Sequence, residues 1–297
     1  MTGVKAEVPN DVIEMLTSRF GPLTPIGVGA WSTAFRFQRD GDDWVVRVGE
    51  HVADFEVDAE MSSYASASLP IPIVTELDQL APPHDHLFVC VSSFAPGQPL
   101  ELVNPGDWIG LVPAVADLLQ AMQAVLLPVG SDAPLWSQAL QSVGSDDGRL
   151  GNWQAKLRAR PLQQAGYDAA MTRIEELVAR PEVAGVEPTL LHCDLINRNV
   201  HVDQGVISGV FDWGCRRWGD HLYDLAWFQF WGPWMPNLDA RLLERELISR
   251  WGEAPHPDRL SACLLHIAAD HLAYNAVNGD LAGGRELLRR LDDLDLL

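Results

Sequence analysis

Leu191-His-Cys-Asp-Leu-Ile-Asn-Arg-Asn199 is followed, thirteen residues after its last Asn, by Asp212 in Val210-Phe-Asp-Trp213. Oxygen-bearing side chains at this spacing point to phosphoryl transfer from a nucleotide. That reaction leaves a protein little covalent work, so it needs groups that position the reactants and neutralise charge. Asp194 can accept the proton of an attacking hydroxyl. Asn199 and Asp212 offer the amide and carboxylate oxygens that a hard ion such as Mg²⁺ takes, with phosphate and water oxygens completing an octahedron. Between them, residues 200–211 alternate apolar and polar side chains around Asp203-Gln-Gly205. This is the pattern of a tight hairpin, and it predicts that Asn199 and Asp212 lie close together. Taken singly, each residue reads more simply: an Asp in a loop as a cap or turn former, and His192 as a hydrogen-bonded scaffold for the loop. The joint spacing carries the chemistry.

Upstream, Ile26 to Phe37 and Trp44 to Val48 flank a polar turn at Arg39-Asp-Gly-Asp-Asp43, and three strands are predicted over Ile26 to Val48. Gly27, Gly29 and Ser32 fall in the first turn, where missing side chains let backbone N–H groups approach a phosphate. A helix is predicted from Phe55 to Ala67, broken by Leu69-Pro-Ile-Pro-Ile-Val74, which opens another strand. Leu87 to Val91 reads as a fifth strand. Ser92-Ser-Phe-Ala-Pro-Gly97 then leaves the strand register, which sets a lobe boundary: residues 1–94 as a β-rich N-lobe and 95–297 as a helical C-lobe. Trp108 to Leu127 and Asp168 to Ala179 carry apolar residues at helical spacing. Pro128 to Gly151, rich in Ser, Asp, Gly and Pro, reads as a long surface loop. The Trp-rich run from Trp213 to Trp234 reads mostly as packing under the catalytic loop, and Asp220 and Asp224 as helix caps or braces of that loop.

A formal net charge of −20, from 41 acidic and 21 basic side chains, argues against nucleic-acid and anionic-membrane partners and favours a cationic substrate. No apolar run approaches the length of a membrane span, and the first nine residues lack the apolar core of a signal peptide. A cytoplasmic monomer is expected. Cys90, Cys193, Cys215 and Cys263 are scattered, so reduced thiols are expected rather than disulfides or a zinc site.

His192-x-Asp194-x-x-x-x-Asn199, Phe211-Asp212-Trp213 and Gly219-Asp220-x-x-Tyr223-Asp224-Leu-Ala226 together resemble the signature of the aminoglycoside phosphotransferase family, relatives of protein kinases. Ser68-Leu-Pro-Ile-Pro72, an Arg in the third strand and Ala226 to Trp234 are most similar to its hygromycin B phosphotransferases. The resemblance spans roughly residues 26–279. It implies an α+β, two-lobed kinase-like fold that uses ATP or GTP with Mg²⁺ and transfers phosphate to an aminoglycoside hydroxyl. By matched position, Asp194 resembles the catalytic base, Asn199 and Asp212 the magnesium ligands, and Ser93, Phe94 and Ala95 the adenine hinge. Arg47 falls on the nucleotide-anchoring base, where much of the family has Lys, with Asp58 as its carboxylate partner and Glu60 as the alternative register. Asp270, in the late helix, is the first candidate to meet a substrate ammonium, against a solvated helix face. Cys193 stands where the family usually has Gly or another small residue, tolerable if φ stays negative there. The competing readings are a choline, homoserine or sugar kinase on the same fold, with an aromatic cage from the C-lobe tryptophans, and a catalytically silent binding module.

Overall fold

Alternating apolar side chains in residues 32–49 commit this stretch to two long strands with one buried face. In the computed structural model, which describes residues 8–29, 31–143 and 150–297, helix α1 (Asn10–Phe20) is followed by β1 (Thr24–Val28), β2 (Ser32–Arg39) and β3 (Asp42–Gly49). Helix α2 (Val52–Ser62), β4 (Val74–Gln79) and β5 (Phe88–Ser93) complete an antiparallel sheet in the order β1-β2-β3-β5-β4. Phe35, Phe37, Val46, Val48, Val89 and Val91 form its buried face and pack with Val12, Leu16 and Phe20. Those last three recur every fourth residue along α1, one stripe of a helix. The period of two sends Ala34 and Arg36 of β2 and Val45 and Arg47 of β3 to the opposite face, with Ala34 opposite Arg47 and Arg36 opposite Val45.

The helix predicted from Phe55 to Ala67 starts three residues earlier and ends at Ser62. Its end is set by turn bonding: Ser66 and Leu69 exchange backbone hydrogen bonds at 2.9 and 3.2 Å, and the Leu69 N–H also donates to Ser66 Oγ. β4 likewise begins only at Val74, because Pro70 and Pro72 cannot donate to a ladder.

Contacts divide the chain into two compact units: residues 1–102 with 197–215, and residues 103–196 with 216–297. A single cut between residues 94 and 95 would assign the segment 197–215 to the second group instead. The chain passes through β6 (Gln98–Pro99) and enters the second unit at α3 (Pro105–Gln123), whose N-terminus is capped by Asn104 Oδ1 accepting the Asp107 N–H at 2.9 Å. Then come α4 (Trp136–Gln141), α5 (Trp153–Arg158), α6 (Pro161–Val178), α7 (Pro181–Ala184) and β7 (Thr189–Leu191). The surface loop expected over Pro128 to Gly151 is therefore interrupted by α4; residues 144–149 lie outside the described residues. Burial of Trp136 and Leu140 orders α4, with the indole edge-on to Tyr223 at 5.7 Å.

β8 (Val200–Asp203) and β9 (Val206–Val210) return to the first unit and form with β6 a three-stranded sheet. Gln204 and Gly205 both have positive φ, 49° and 82°, the two-residue turn whose twist suits a hairpin. Gly97, with φ 103°, lies so close to β8 that a Cβ would come within 2.1 Å of the Val202 carbonyl oxygen. The second unit finishes with β10 (Arg217–Gly219), antiparallel to β7, and helices α8 (Leu222–Trp231), α9 (Ala240–Trp251), α10 (Pro257–Asn278) and α11 (Leu281–Asp293). The fold class is α+β, as expected. All four cysteines are free. Among the described residues no helix is long and apolar enough to cross a membrane.

Candidate active site

In the first unit the β8–β9 hairpin sets the metal-ligand candidates. The Phe211 N–H donates to the Asn199 carbonyl at 2.8 Å, extending the ladder by one bond and placing Asn199 beside the residue that precedes Asp212. The Val210 N–H donates to the Pro70 carbonyl at 2.9 Å, which ties the hairpin to the segment ahead of β4. Asp212 has φ 58°, a left-handed conformation that Asp tolerates better than most residues.

Asp58 organises what surrounds Asp212. Its Oδ2 accepts from the Arg47 guanidinium and its Oδ1 accepts the Trp213 N–H at 2.9 Å. One carboxylate thus joins α2 to β3 and to the residue after Asp212. Burial disfavours the charge on Arg47, yet the Asp58 carboxylate outweighs it and moves the guanidinium further up, with Cys90 and Asp212 adding to this. Cys90 Sγ lies 3.8 Å from an Arg47 nitrogen, and burial pushes that thiol up.

Gly29, Ser32, Arg47 and Asp212, drawn from three separate stretches, line one small cavity of about 50 Å³, together with Trp31, His51, Asp54 and Phe55. A larger cavity of about 700 Å³, also within the first unit, is lined by Ser93, Phe94, Pro96 and Gly97 and by Arg36, Asp43 and Trp44. There the Arg36 guanidinium pairs with Asp43 and lies 4.6 Å from the Phe94 ring centroid. Ser93 is bound to Ile73 through both its N–H and its Oγ, and the Phe94 N–H donates to the Asp43 carbonyl. Ala95 is buried.

In the second unit the loop after β7 is held from below by one buried carboxylate. Asp224, in the first turn of α8, accepts the His192 N–H at 3.0 Å and the Cys193 N–H at 2.9 Å. The Asp194 N–H in turn donates to His192 Nδ1 at 3.2 Å, so the fully buried His192 shapes the loop. Cys193 has φ 66°. The condition of a negative φ is not met: with both N–H groups converging on Asp224, Cys193 takes the left-handed turn for which a small residue is otherwise favoured.

Burial pushes the Asp224 carboxyl up to about 6, against the two backbone N–H bonds that favour its charged form. The native state therefore holds a proton that the unfolded chain, with a carboxyl near 3.9, releases earlier; stability from this group is complete below about pH 4 and is lost as pH rises through about 6. Asp224→Asn cannot ionise. It is expected to gain roughly 2 kcal/mol relative to the unchanged protein between pH 4 and pH 7, on top of a constant loss from its poorer acceptor set. Urea unfolding at the two pH values reads this, and a pH-independent difference would contradict it.

Asp220, fully buried, caps α8 by accepting the Leu222 N–H at 3.0 Å and holds Arg259 of α10 through two bonds of 2.7 and 2.6 Å. Asp270 is half-buried on α10; its charge adds to the burial and the Asp168 charge that raise the Tyr167 phenol, and it opposes the burial that lowers His266 to about 4. Of the run's tryptophans in this unit, Trp218 and Trp227 are buried, whereas Trp234 is exposed. Trp231 packs edge-on to His271 at 4.7 Å and to Trp234 at 5.3 Å.

Four of the anticipated nucleotide and metal residues thus share one cavity, Asp58 bonds to one of them, Asn199 bonds to the backbone beside another, and Ser93 and Phe94 line the second cavity. Asp194 and Asp270 belong to the other compact unit. Trp31, His51, Asp54 and Arg259 carried no signal in the chain, since each is recruited by contacts distant in sequence. Among the described residues no group of three or more His, Cys, Asp or Glu side chains gathers as a metal site. An ion here would rest on two protein oxygens and take the remainder from phosphate and water.

The phosphotransferase enzyme family (APH) matches residues 22–263. Hygromycin-B 4-O-kinase from Escherichia coli is 26% identical over 275 residues, covering 87% of this chain and 76% of its own length. A thermostable mutant of aminoglycoside phosphotransferase APH(4)-Ia, crystallised as a ternary complex with AMP-PNP and hygromycin B, superposes with a TM-score of 0.79 at 26% identity, over 95% of this chain and 97% of that one. The GDP and kanamycin complex of APH(2")-IIia superposes with a TM-score of 0.69 over 97% and 100% of the two chains; at 17% identity it is similar in fold alone.

Proposed function

Because this chain belongs to the phosphotransferase enzyme family, we propose that it transfers the γ-phosphoryl group of ATP or GTP to a hydroxyl of an aminoglycoside, hygromycin B foremost, and so confers resistance to it. The observation that carries this reading is the small cavity, where a cation, a carboxylate and the glycine turn meet. Arg47, held by Asp58, binds the α- and β-phosphates through its planar fork. The Gly29 turn and Ser32 line the cavity where they would cover the phosphates. The nucleobase lies along Ser93, Phe94 and Ala95.

Asn199 and Asp212 are the residues that would hold Mg²⁺: both offer the hard oxygen donors the ion prefers, and one hairpin carries them. The bound ion supplies neutralisation of phosphate charge. Asp194 accepts the proton of the attacking hydroxyl and orients its lone pair toward phosphorus. Asp270 meets a substrate ammonium, a role that the net charge of −20 supports. The reading includes a cytoplasmic monomer with nucleotide at hand. A choline-type kinase is less favoured, because its substrate needs an open aromatic cage and Trp231 instead packs edge-on to both Trp234 and His271.

Purified protein incubated with Mg²⁺ and ATP or GTP against hygromycin B, kanamycin and choline tests this directly. Phosphohygromycin is the expected product, and chelation of Mg²⁺ with EDTA is expected to stop its formation. Phosphocholine with no aminoglycoside product would overturn the assignment.

A further inference from the structure

We propose that His51 is a phosphate-binding residue of the nucleotide cavity, and that Trp31 is the positioning residue that holds its ring there; this rests on the nucleotide reading above. His51 immediately precedes α2 and lines the same cavity as Arg47 and Asp212. The Trp31 indole meets the imidazole edge to face, with ring centroids 5.1 Å apart and planes at 84°. Trp31 can stand there because the loop closes tightly. The Gly29 N–H donates to the Ser32 carbonyl at 2.9 Å, and Gly49 lets the Trp31 carbonyl oxygen come where a Cβ would lie 2.5 Å from it.

Charge favours the role. The lining holds two carboxylates, Asp54 and Asp212, and Arg47 is already paired with Asp58. A polyphosphate held there by Arg47 and by an ion on Asp212 therefore gains from any further donor that lines the cavity. The His51 ring lines the cavity with a polar hydrogen to give, and among the described residues its ring nitrogens donate to no protein acceptor. A hydrogen bond from imidazole to a phosphate oxygen is of the strong, charge-assisted kind.

Calorimetric titration of Mg²⁺·AMP-PNP into the full-length protein and its His51→Ala and His51→Gln variants tests the first part. His51→Ala is expected to bind about tenfold more weakly, as for loss of one hydrogen bond to a charged group. His51→Gln keeps a donor and is expected to stay within about threefold. In turnover assays His51→Ala should raise the nucleotide KM with kcat little changed. Equal affinity of His51→Ala and the unchanged protein, or equal weakening by Ala and Gln, would overturn the proposal. Trp31→Ala should reproduce His51→Ala while Trp31→Phe does not, and an unaffected Trp31→Ala removes the positioning role. Failure of the unchanged protein to bind nucleotide would instead overturn the nucleotide reading itself.

Discussion

Asp194→Asn is expected to lower phosphate transfer by roughly 10²- to 10⁴-fold, the size of effect that loss of a positioned general base produces. The exchange is nearly isosteric and removes only the capacity to take the hydroxyl proton. The loop should keep its shape, because backbone bonds run from His192 and Cys193 to Asp224 and from Asp194 N–H to His192, and Asn preserves all of them. Nucleotide affinity should therefore be preserved while single-turnover transfer collapses. Paired calorimetry and rapid-quench measurement read the two separately. Transfer at the unchanged rate would remove Asp194 from the chemistry, whatever the fold.

Asp58→Ala is expected to be the most damaging substitution for stability. It strips Arg47 of its partner and the Trp213 N–H of its acceptor in one step. Arg47 and Asp58 expose only 18% and 7% of their side chains, so the remaining charge has little water to turn to. Breaking a buried pair from one side costs about 3–5 kcal/mol, which for a chain of this size corresponds to a fall in melting temperature on the order of 10 °C. Asp58→Asn keeps an acceptor for the indole residue's backbone and should fall less. A shift of under about 2 °C for the Ala variant would mean that the pair contributes little.

What was legible in the chain was local. The alternation in residues 32–48 and 200–210 is a period-two signal needing no tertiary information, and the Gln204-Gly205 turn lies inside the Asp203-Gln-Gly205 segment read as the hairpin turn. The spacing of Asp194, Asn199 and Asp212 was legible because one loop and one hairpin carry all three. What was hidden depended on partners far along the chain. The left-handed φ of Cys193 follows from a carboxylate 31 residues away. Arg259 finds Asp220 across 39 residues. α4 is too short to show a helical period and is ordered by burial of Trp136 against elements that come later. His51 stands just past a strand, where nothing in its neighbours distinguishes it until Trp31 closes over it.

The hairpin at residues 200–210 also bears on how the protein is made. Because Gln98 and Pro99 pair with Val202 and His201, and residues 197–215 belong to the first unit, that unit cannot finish folding when its first hundred or so residues leave the ribosome. It must wait until the chain has been synthesised past Cys215. Until then the edge of β6 has no partner strand, a state that favours pairing with other nascent chains. A chain truncated near residue 102 would lack the same strands permanently and should aggregate, whereas one that appends residues 197–215 to it through a short linker restores the missing ladder.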